Sequence, residues 1–372
     1  MAGSVAAPLE TRFVALRGID PAVVAAWRDL ADRALEPNPF FEPEFLLAAA
    51  KLYPATELLT VSRGARLIAA MPVRRVGRWR KIPARTLWIW RHTDAYLGTP
   101  LVDRDEPRAA LGALLDWAVG DRGSGLVAFE WLGTGGPVEA ALHAALEERG
   151  LESLVYEEFD RAALDRREAA DYLRAKVSKS RARELRRLRR QLTELLRENL
   201  VTANRAGDPD AVEGFLRAEA SGWKGRAGTN FASGDAYAEF FRDLCERFHA
   251  AGRLQLLVMS AAGVDVAWKV NLIAGDVVYC FKIAYDEEYA RFSPGVQLEL
   301  ENVEIFHGTP AAWSDSCADS DNEMINRLWP DRRAIATVLV PTGGVLGATS
   351  KHTARAVMAL RRRMRRTDEQ AA

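Results

Sequence analysis

Cysteine is scarce in this chain: Cys245, Cys280 and Cys317 lie far apart, with no CxxC among them. Such usage excludes a disulfide scaffold and a thiolate zinc site, and it fits a reducing compartment, so a cytoplasmic protein is expected. The five histidines show no HxxxH or related ligand spacing, and no metal is expected. Excess charge is missing too. The 51 Lys and Arg balance 51 Asp and Glu, which argues against a surface given over wholly to nucleic acid or membrane and leaves room for local basic runs. No uninterrupted apolar run approaches the roughly 20 residues that cross a bilayer. The start, MAGSVAAPLETRF, has neither a basic nor an apolar leader segment, so no secretory signal is expected. A GxSxG elbow and a GxxxxGKS loop are also absent, which removes the motif evidence for a serine hydrolase or a P-loop nucleotidase.

What is present reads as a globular protein of about two domains. Hydrophobic residues make up 48% and charged residues 27% of the 372, a composition able to fill a core. TRFVAL (11–16) reads as a strand, and Asp20-Pro21 opens a helix with a cap-plus-proline signal. A short helix follows near 43–52. Residues 56–62 and 66–76 form a hairpin about Arg63-Gly64, and 85–91 a further strand. A helix over 107–119, a buried strand over 125–132, a helix over 137–150 and a final strand complete this half. The second half repeats that order. A strand at 201–206 precedes a helix opened by Asp208-Pro209 and another over 235–250. Three strands follow, then the helix containing VQLELENVEIF, a short strand near Ala311–Ser316, and RAIATVLVP. The expected fold class is α/β (α+β), with two similar domains that share element order and no evident identity. The expected division is 1–165, a basic connector at 166–200, a second domain at 201–345 and a basic tail at 346–372.

The connector is strongly basic. From Arg174 to Arg190 it has nine Lys or Arg and one acid, Glu184. Leu185, Leu188, Leu192 and Leu195 or Leu196 recur at helical spacing, giving an amphipathic helix with a cationic outer face. It reads either as a solvated link or as a cradle for an anionic ligand. Aromatic interleaving is absent, against a single-stranded nucleic-acid platform. The tail has seven Lys or Arg and no acid between Lys351 and Arg366. It is either a solvated helix or a peripheral contact with anionic lipid or a polysaccharide synthase.

The stretch YARFSPGVQL (289–298) sits where strand-like sequence gives way to helix-like sequence. A helix entered there presents unpaired N–H groups and the positive end of its dipole. Pro294 is tolerated in a first turn, Gly295 admits another atom close to the backbone, and Arg291 stands ahead of the turn where it could pair with a phosphate. The constellation suits a pyrophosphate; an ordinary strand-to-helix turn reads the same way. On the preceding strand Lys282 alternates with Cys280 and Ala284 on one face, with Phe281 and Ile283 on the other. Lys282, Tyr285 and Asp286 are candidate catalytic groups next to the loop, and Asp286 also suits a turn cap. Asp315 is a candidate base at the end of the short strand. SGWKGRAGT (221–229) places Trp223, Lys224 and Arg226 among three glycines, either as a basic, aromatic substrate loop or as a helix stop at Gly222.

Four stretches carry a family resemblance: SKSRARELRR, AEASGWKGRAGT, YCFKIAYDEEYARFSPGVQLELE and DSCADSDNEMINRLWPDRR. With the order of elements, they resemble the GNAT N-acyltransferases, and more narrowly the CelD/BcsL type named from cellulose-biosynthesis clusters and related to Fem peptidyltransferases. The resemblance covers roughly residues 170–335 and implies tandem GNAT-like domains with the acyl-CoA site in the second. Arg291, Phe292, Ser293, Gly295 and Val296 then correspond to the loop that holds acetyl-CoA or another acyl-CoA as co-substrate. This sequence departs from the family in having Pro294 where the loop's first glycine belongs, and Ile325-Asn326 where a Tyr-Lys pair is common. The implied activity is N-acyl transfer to an amine of a sugar, nucleotide sugar or similar small molecule in envelope-polysaccharide metabolism. The alternatives are a Fem-like transferase that takes its acyl group from aminoacyl-tRNA, with nucleic acid otherwise no partner, and a non-catalytic scaffold of the same fold.

Overall fold

The computed structural model describes residues 7–121, 123–167, 177–221 and 234–371. The chain begins with β1 (Leu9–Ala15), α1 (Pro21–Asp32), α2 (Pro43–Ala49), β2 (Glu57–Arg63), β3 (Arg66–Val76), β4 (Thr86–Ile89) and β5 (Leu101–Val102). It continues through α3 (Pro107–Gly120), β6 (Leu126–Gly133), α4 (Pro137–Glu147) and β7 (Leu154–Asp165). Then come α5 (Lys179–Leu196), β8 (Val201–Asn204), α6 (Pro209–Ser221), α7 (Asp235–Ala250), β9 (Leu254–Ala261), β10 (Val264–Ala274) and β11 (Val277–Tyr285). The last elements are α8 (Pro294–His307), β12 (Trp313–Asp315), α9 (Glu323–Leu328), β13 (Asp331–Pro341) and α10 (Gly344–Ala371).

Local chemistry accounts for many of these boundaries. Asp20 caps α1, its carboxylate accepting from the Ala22 amide at 2.8 Å, with a proline at the first helical position. Ser178 caps α5 in the same manner through the Arg181 amide at 3.2 Å. At the β9–β10 hairpin both turn residues, Ala262 and Gly263, have positive φ, the backbone that matches the twist of paired strands.

The chain divides into two compact units. The first comprises Met1–Leu46, Tyr53–Phe159 and Ala334–Ala372, and the second Leu47–Leu52 and Asp160–Arg333. The first unit's strands run β1-β2-β3-β4-β6-β13, antiparallel except for the parallel β4–β6 pair, with β5 on β3. The second unit's strands run β8-β9-β10-β11-β12-β7, antiparallel except for the parallel β11–β12 pair. Each is a mixed, mainly antiparallel sheet flanked by helices, and the two share one plan.

Each half of the sequence lends its last strand to the other unit. Residues of β7 from Asp160 onward belong to the second unit, where β7 pairs with β12. Residues of β13 from Ala334 onward belong to the first, where β13 pairs with β6. The units therefore part at 159/160 and 333/334, where the sequence reading expects 165/166, 200/201 and 345/346. α5 falls inside the second unit, and α10 inside the first. α10 packs through Ala354 and Val357 onto Trp79, Leu126 and Leu339. Lys351 and Arg355 reach Glu152, and Arg361 reaches Glu157, so part of the tail's positive charge is balanced on the first unit. No helix among the described residues is long and apolar enough to cross a membrane.

Candidate active site

In the second unit, β11 and β12 run parallel and pair only over Val277–Tyr279 and Trp313–Asp315. Beyond Tyr279 the strands part. Among the described residues, no strand pairs with that side of Cys280–Tyr285, which leaves a notch in the sheet at the carboxyl ends of two parallel strands. That is the place where open α/β sheets receive ligands. The first unit differs: β4 pairs with β6 along all four residues, Thr86–Ile89 against Leu126–Phe129. The repeat leaves this opening in one unit.

The notch leads into the predicted loop. A 3₁₀ turn over Glu287–Phe292 delivers the chain to α8. Asp286 caps that turn, its carboxylate accepting from the Glu288 amide at 3.0 Å. Ser293 stands at the N-cap of α8 in left-handed backbone (φ 52°), and its hydroxyl makes no capping bond to the first helical amides. Pro294 supplies none of these amides. Arg291 is exposed, its guanidinium 4.7 Å from the Phe292 ring centre. Phe292 is buried in a cluster with Leu257, Met259 and Leu298 and anchors the loop. Gly295 is helical and closely overlain: a Cβ there would lie 3.2 Å from Tyr285 Cδ1. Val296 is half-buried and packs toward Val303 and Phe306. Of the predicted residues, the structure brings together Tyr285, Asp286 and the Arg291–Val296 loop.

Lys282 is placed differently from the expected alternation. The β10–β11 register shifts between Val270 and Asn271, which face Lys282 and Cys280, leaving Phe281 as an extra residue in β11. This bulge reverses the alternation across it. Ile283 and Tyr285 face α8, and so does Cys280, whose sulfur lies 3.8 Å from Asn302 Nδ2. Lys282 and Ala284 lie on the opposite face with Val270 and Trp268, the face against which α6 packs Gly214. Lys282 and Tyr285 therefore stand on opposite faces of one strand, and Cys280 does not share a face with Lys282.

Asp315 is fully buried. It lies 2.5 Å from Arg161 and 2.6 Å from Arg333, and also accepts from the Cys317 amide at 2.9 Å. Burial opposes its charge, but the two guanidiniums and the amide hold its carboxyl below the usual carboxylate range. A carboxylate held this way is a poor proton acceptor. Its evident work is to fix β12 against β7 and the start of β13 at the point where β11 diverges.

Sequence reasoning passed over a second buried group. Lys269 Nζ meets Glu299 at 2.6 Å with both side chains buried. Glu299 also accepts from Trp329 Nε1 and Asn302 Nδ2, each at 3.1 Å, and Asn271 Nδ2 donates to Asn302 at 2.8 Å. Burial works against charge on Lys269, but the Glu299 carboxylate beside it holds its pKa above the ordinary lysine value. Burial pushes the Cys280 thiol up to about 11, so it stays a thiol. The available signal is a charge inside an apolar run, Lys269 in AWKVNLI and Glu299 at an inward position of α8. Trp223, Lys224 and Arg226 lie outside the described residues. Among those described, no group of His, Cys, Asp and Glu is arranged to hold a metal ion.

Residues 179–306 match the Acetyltransferase (GNAT) domain family. No curated protein matches the chain. Among solved structures, it is similar to FemX at TM-score 0.58 and 11% identity, over 89% of this chain and 96% of that one. A putative lysylphosphatidylglycerol synthetase C-terminal domain from Agrobacterium fabrum aligns at TM-score 0.53 and 11% identity, over 90% and 96%. L-PGS from Bacillus licheniformis aligns at 0.54 and 12%, over 91% and 96%. These likenesses are of fold, and the matched domain lies in the unit that carries the notch.

Proposed function

We propose that the protein is an acyl-CoA-dependent N-acyltransferase, acting on an amine of a sugar, nucleotide sugar or related small molecule. The observation that carries this reading is the parting of β11 from β12 directly before the uncapped start of α8. Backbone groups along Cys280–Tyr285 would pair with the amide-bearing arm of the donor as an added strand does. Arg291 and the first free amides of α8 would take its phosphates, with Gly295 giving close approach. The residues fit such a donor, with one amide fewer than a glycine in place of Pro294 would give.

In the transfer, the amine nitrogen attacks the thioester carbonyl carbon and the C–S bond breaks. The amine gives up a proton and the departing thiolate gains one, leaving an amide and a free thiol. Outward N–H groups of β11 would stabilise the oxyanion formed on the way. Tyr285, beside Gly295 at the mouth of α8, would protonate the thiolate, with Asp286 fixing the turn that follows it. Lys282, on the α6 face, is assigned to the acceptor side with Trp223, Lys224 and Arg226. The resemblance to the CelD/BcsL type supports an acceptor from envelope-polysaccharide metabolism.

A second reading has its own observation. Lys179, Arg183, Arg186 and Arg190 recur at i, i+4, i+7 and i+11 along α5, opposite its buried Leu185, Leu188 and Leu192, and make no ion pair with a described residue. A stripe of this pitch suits a phosphate backbone and favours an aminoacyl-tRNA donor. A thermal-shift and calorimetric screen with CoA thioesters and aminoacyl-tRNA separates the two. Acetyl-CoA should raise the melting temperature and, with an amino-sugar acceptor, release free thiol. Stabilisation by aminoacyl-tRNA without any response to CoA thioesters overturns the first reading.

A further inference from the structure

Helices α5 and α8 border an open cleft of about 280 Å³ whose apolar walls are Val177, Ala182, Leu185 and Leu300. Gln297 lines it and is only 4% exposed. Its Nε2 donates to the Phe292 carbonyl at 2.7 Å, which settles the amide's orientation, since the reversed amide would set oxygen against oxygen. The other end, Oε1, is buried and accepts no hydrogen bond from a described residue. Buried polar atoms are nearly always paired, and here the unsatisfied one is the acceptor of a residue that lines an apolar cleft.

Charge defines the mouth. Arg186 borders both this cleft and an outer groove of about 820 Å³ where Arg183, Arg187 and Arg190 outnumber the acid Glu184. Arg187 is taken by Glu184 at 2.7 Å, and Arg189 by Glu301 at 2.5 Å. Arg186 has no ion pair among the described residues. Glu304 also borders the cleft, seven residues or about two turns beyond Gln297 on α8, so like-charge repulsion directs an anion to the α5 side.

We infer that this cleft binds a small anionic amphiphile, with an apolar chain or ring inside, an N–H or O–H donor on Gln297 Oε1 and a carboxylate or phosphate at Arg186. Its volume is nearly twice the roughly 150 Å³ of an apolar cavity that takes benzene, so the occupant has about a dozen heavy atoms. Binding there requires nothing of the acyl-transfer reading.

Titration calorimetry of the full chain with N-octanoylglycine tests it, beside octanoate, which lacks the N–H, and N-octanoylglycinamide, which lacks the anion. The first should bind, with each of the others about tenfold weaker. Arg186→Glu should weaken N-octanoylglycine by at least about tenfold and leave the glycinamide unchanged. Ala182→Phe should fill the cleft and abolish both; should that variant misfold, the exposed Arg186 decides. Octyl phosphate tells a phosphate head from a carboxylate, and tighter binding of either keeps the site. Saturation with acetyl-CoA should leave the affinity unchanged. Competition with acetyl-CoA, equal binding of all three octanoyl probes, or no binding by the parent overturns the inference. Binding of N-octanoylglycine by a protein indifferent to CoA thioesters retains the cleft and removes only the proposed donor.

Discussion

Lys269 and Glu299 meet at 2.6 Å inside the second unit, joining β10 to α8, the helix whose start forms the proposed donor site. Charges taken out of water are costly when separated, so the pair should act as a unit. Lys269→Met or Glu299→Leu alone should each destabilise the protein by about 3–5 kcal/mol, because each strands one buried charge. The double substitution should cost clearly less than the sum of the two. Urea unfolding of all four proteins in a double-mutant cycle measures the coupling, and simple additivity would remove the pair from the account of how α8 is held.

Arg291 offers the opposite case. It is exposed, and its guanidinium lies over the ring of its own neighbour, Phe292. Arg291→Ala should leave the apo melting temperature almost unchanged and weaken acetyl-CoA binding by about 1.5–3 kcal/mol, the range for a charge-assisted bond to phosphate. A large apo destabilisation with unaltered affinity would make the loop a structural turn.

At Gly295 the crowding comes from Tyr285, with the backbone already helical. A Cβ would sit 3.2 Å from Tyr285 Cδ1, a contact the ring can relieve by a small shift. Gly295→Ala should therefore fold nearly as the parent does, whereas Gly295→Val should lose about 1–3 kcal/mol through overpacking. Both should impair acetyl-CoA binding, valine more. Denaturant unfolding paired with calorimetry gives both quantities, and normal acetyl-CoA binding by the valine variant would take the donor site away from this loop.

In the first unit, Glu157 bonds Arg80 at 3.0 Å and Arg361 at 2.9 Å. Burial opposes its charge, but the two arginines lower its pKa from 4.5 to about 2. Because the folded value is depressed, this stabilisation is present above the unfolded value of 4.5 and is lost as pH falls through about 2. Glu157→Gln should flatten the pH dependence of unfolding free energy across that window and leave acetyl-CoA binding at neutral pH unchanged. An equally steep acid limb in the variant would place the linkage on other carboxylates.

Much of the architecture is local in origin and was legible in the chain. The Asp20-Pro21 cap, the strand–helix order of both halves, the leucine stripe of α5 and the helix opening at Pro294 all follow from spacing and turn chemistry within a few residues. The alternation along β11 was equally local, and it fails at Phe281 because a bulge is defined by the partner strand. The exchange of β7 and β13 between the units has the same character: a strand's pattern shows which faces are apolar but not which edge it will join. Only the folded chain puts Lys269 beside Glu299, clamps Asp315 between Arg161 and Arg333, and leaves Gln297 with an acceptor facing an apolar cleft. The three charged pairings among these span 18 to 154 residues of sequence. Periodicity reports how one segment meets solvent, whereas a buried charge or amide is decided by what another segment brings to it.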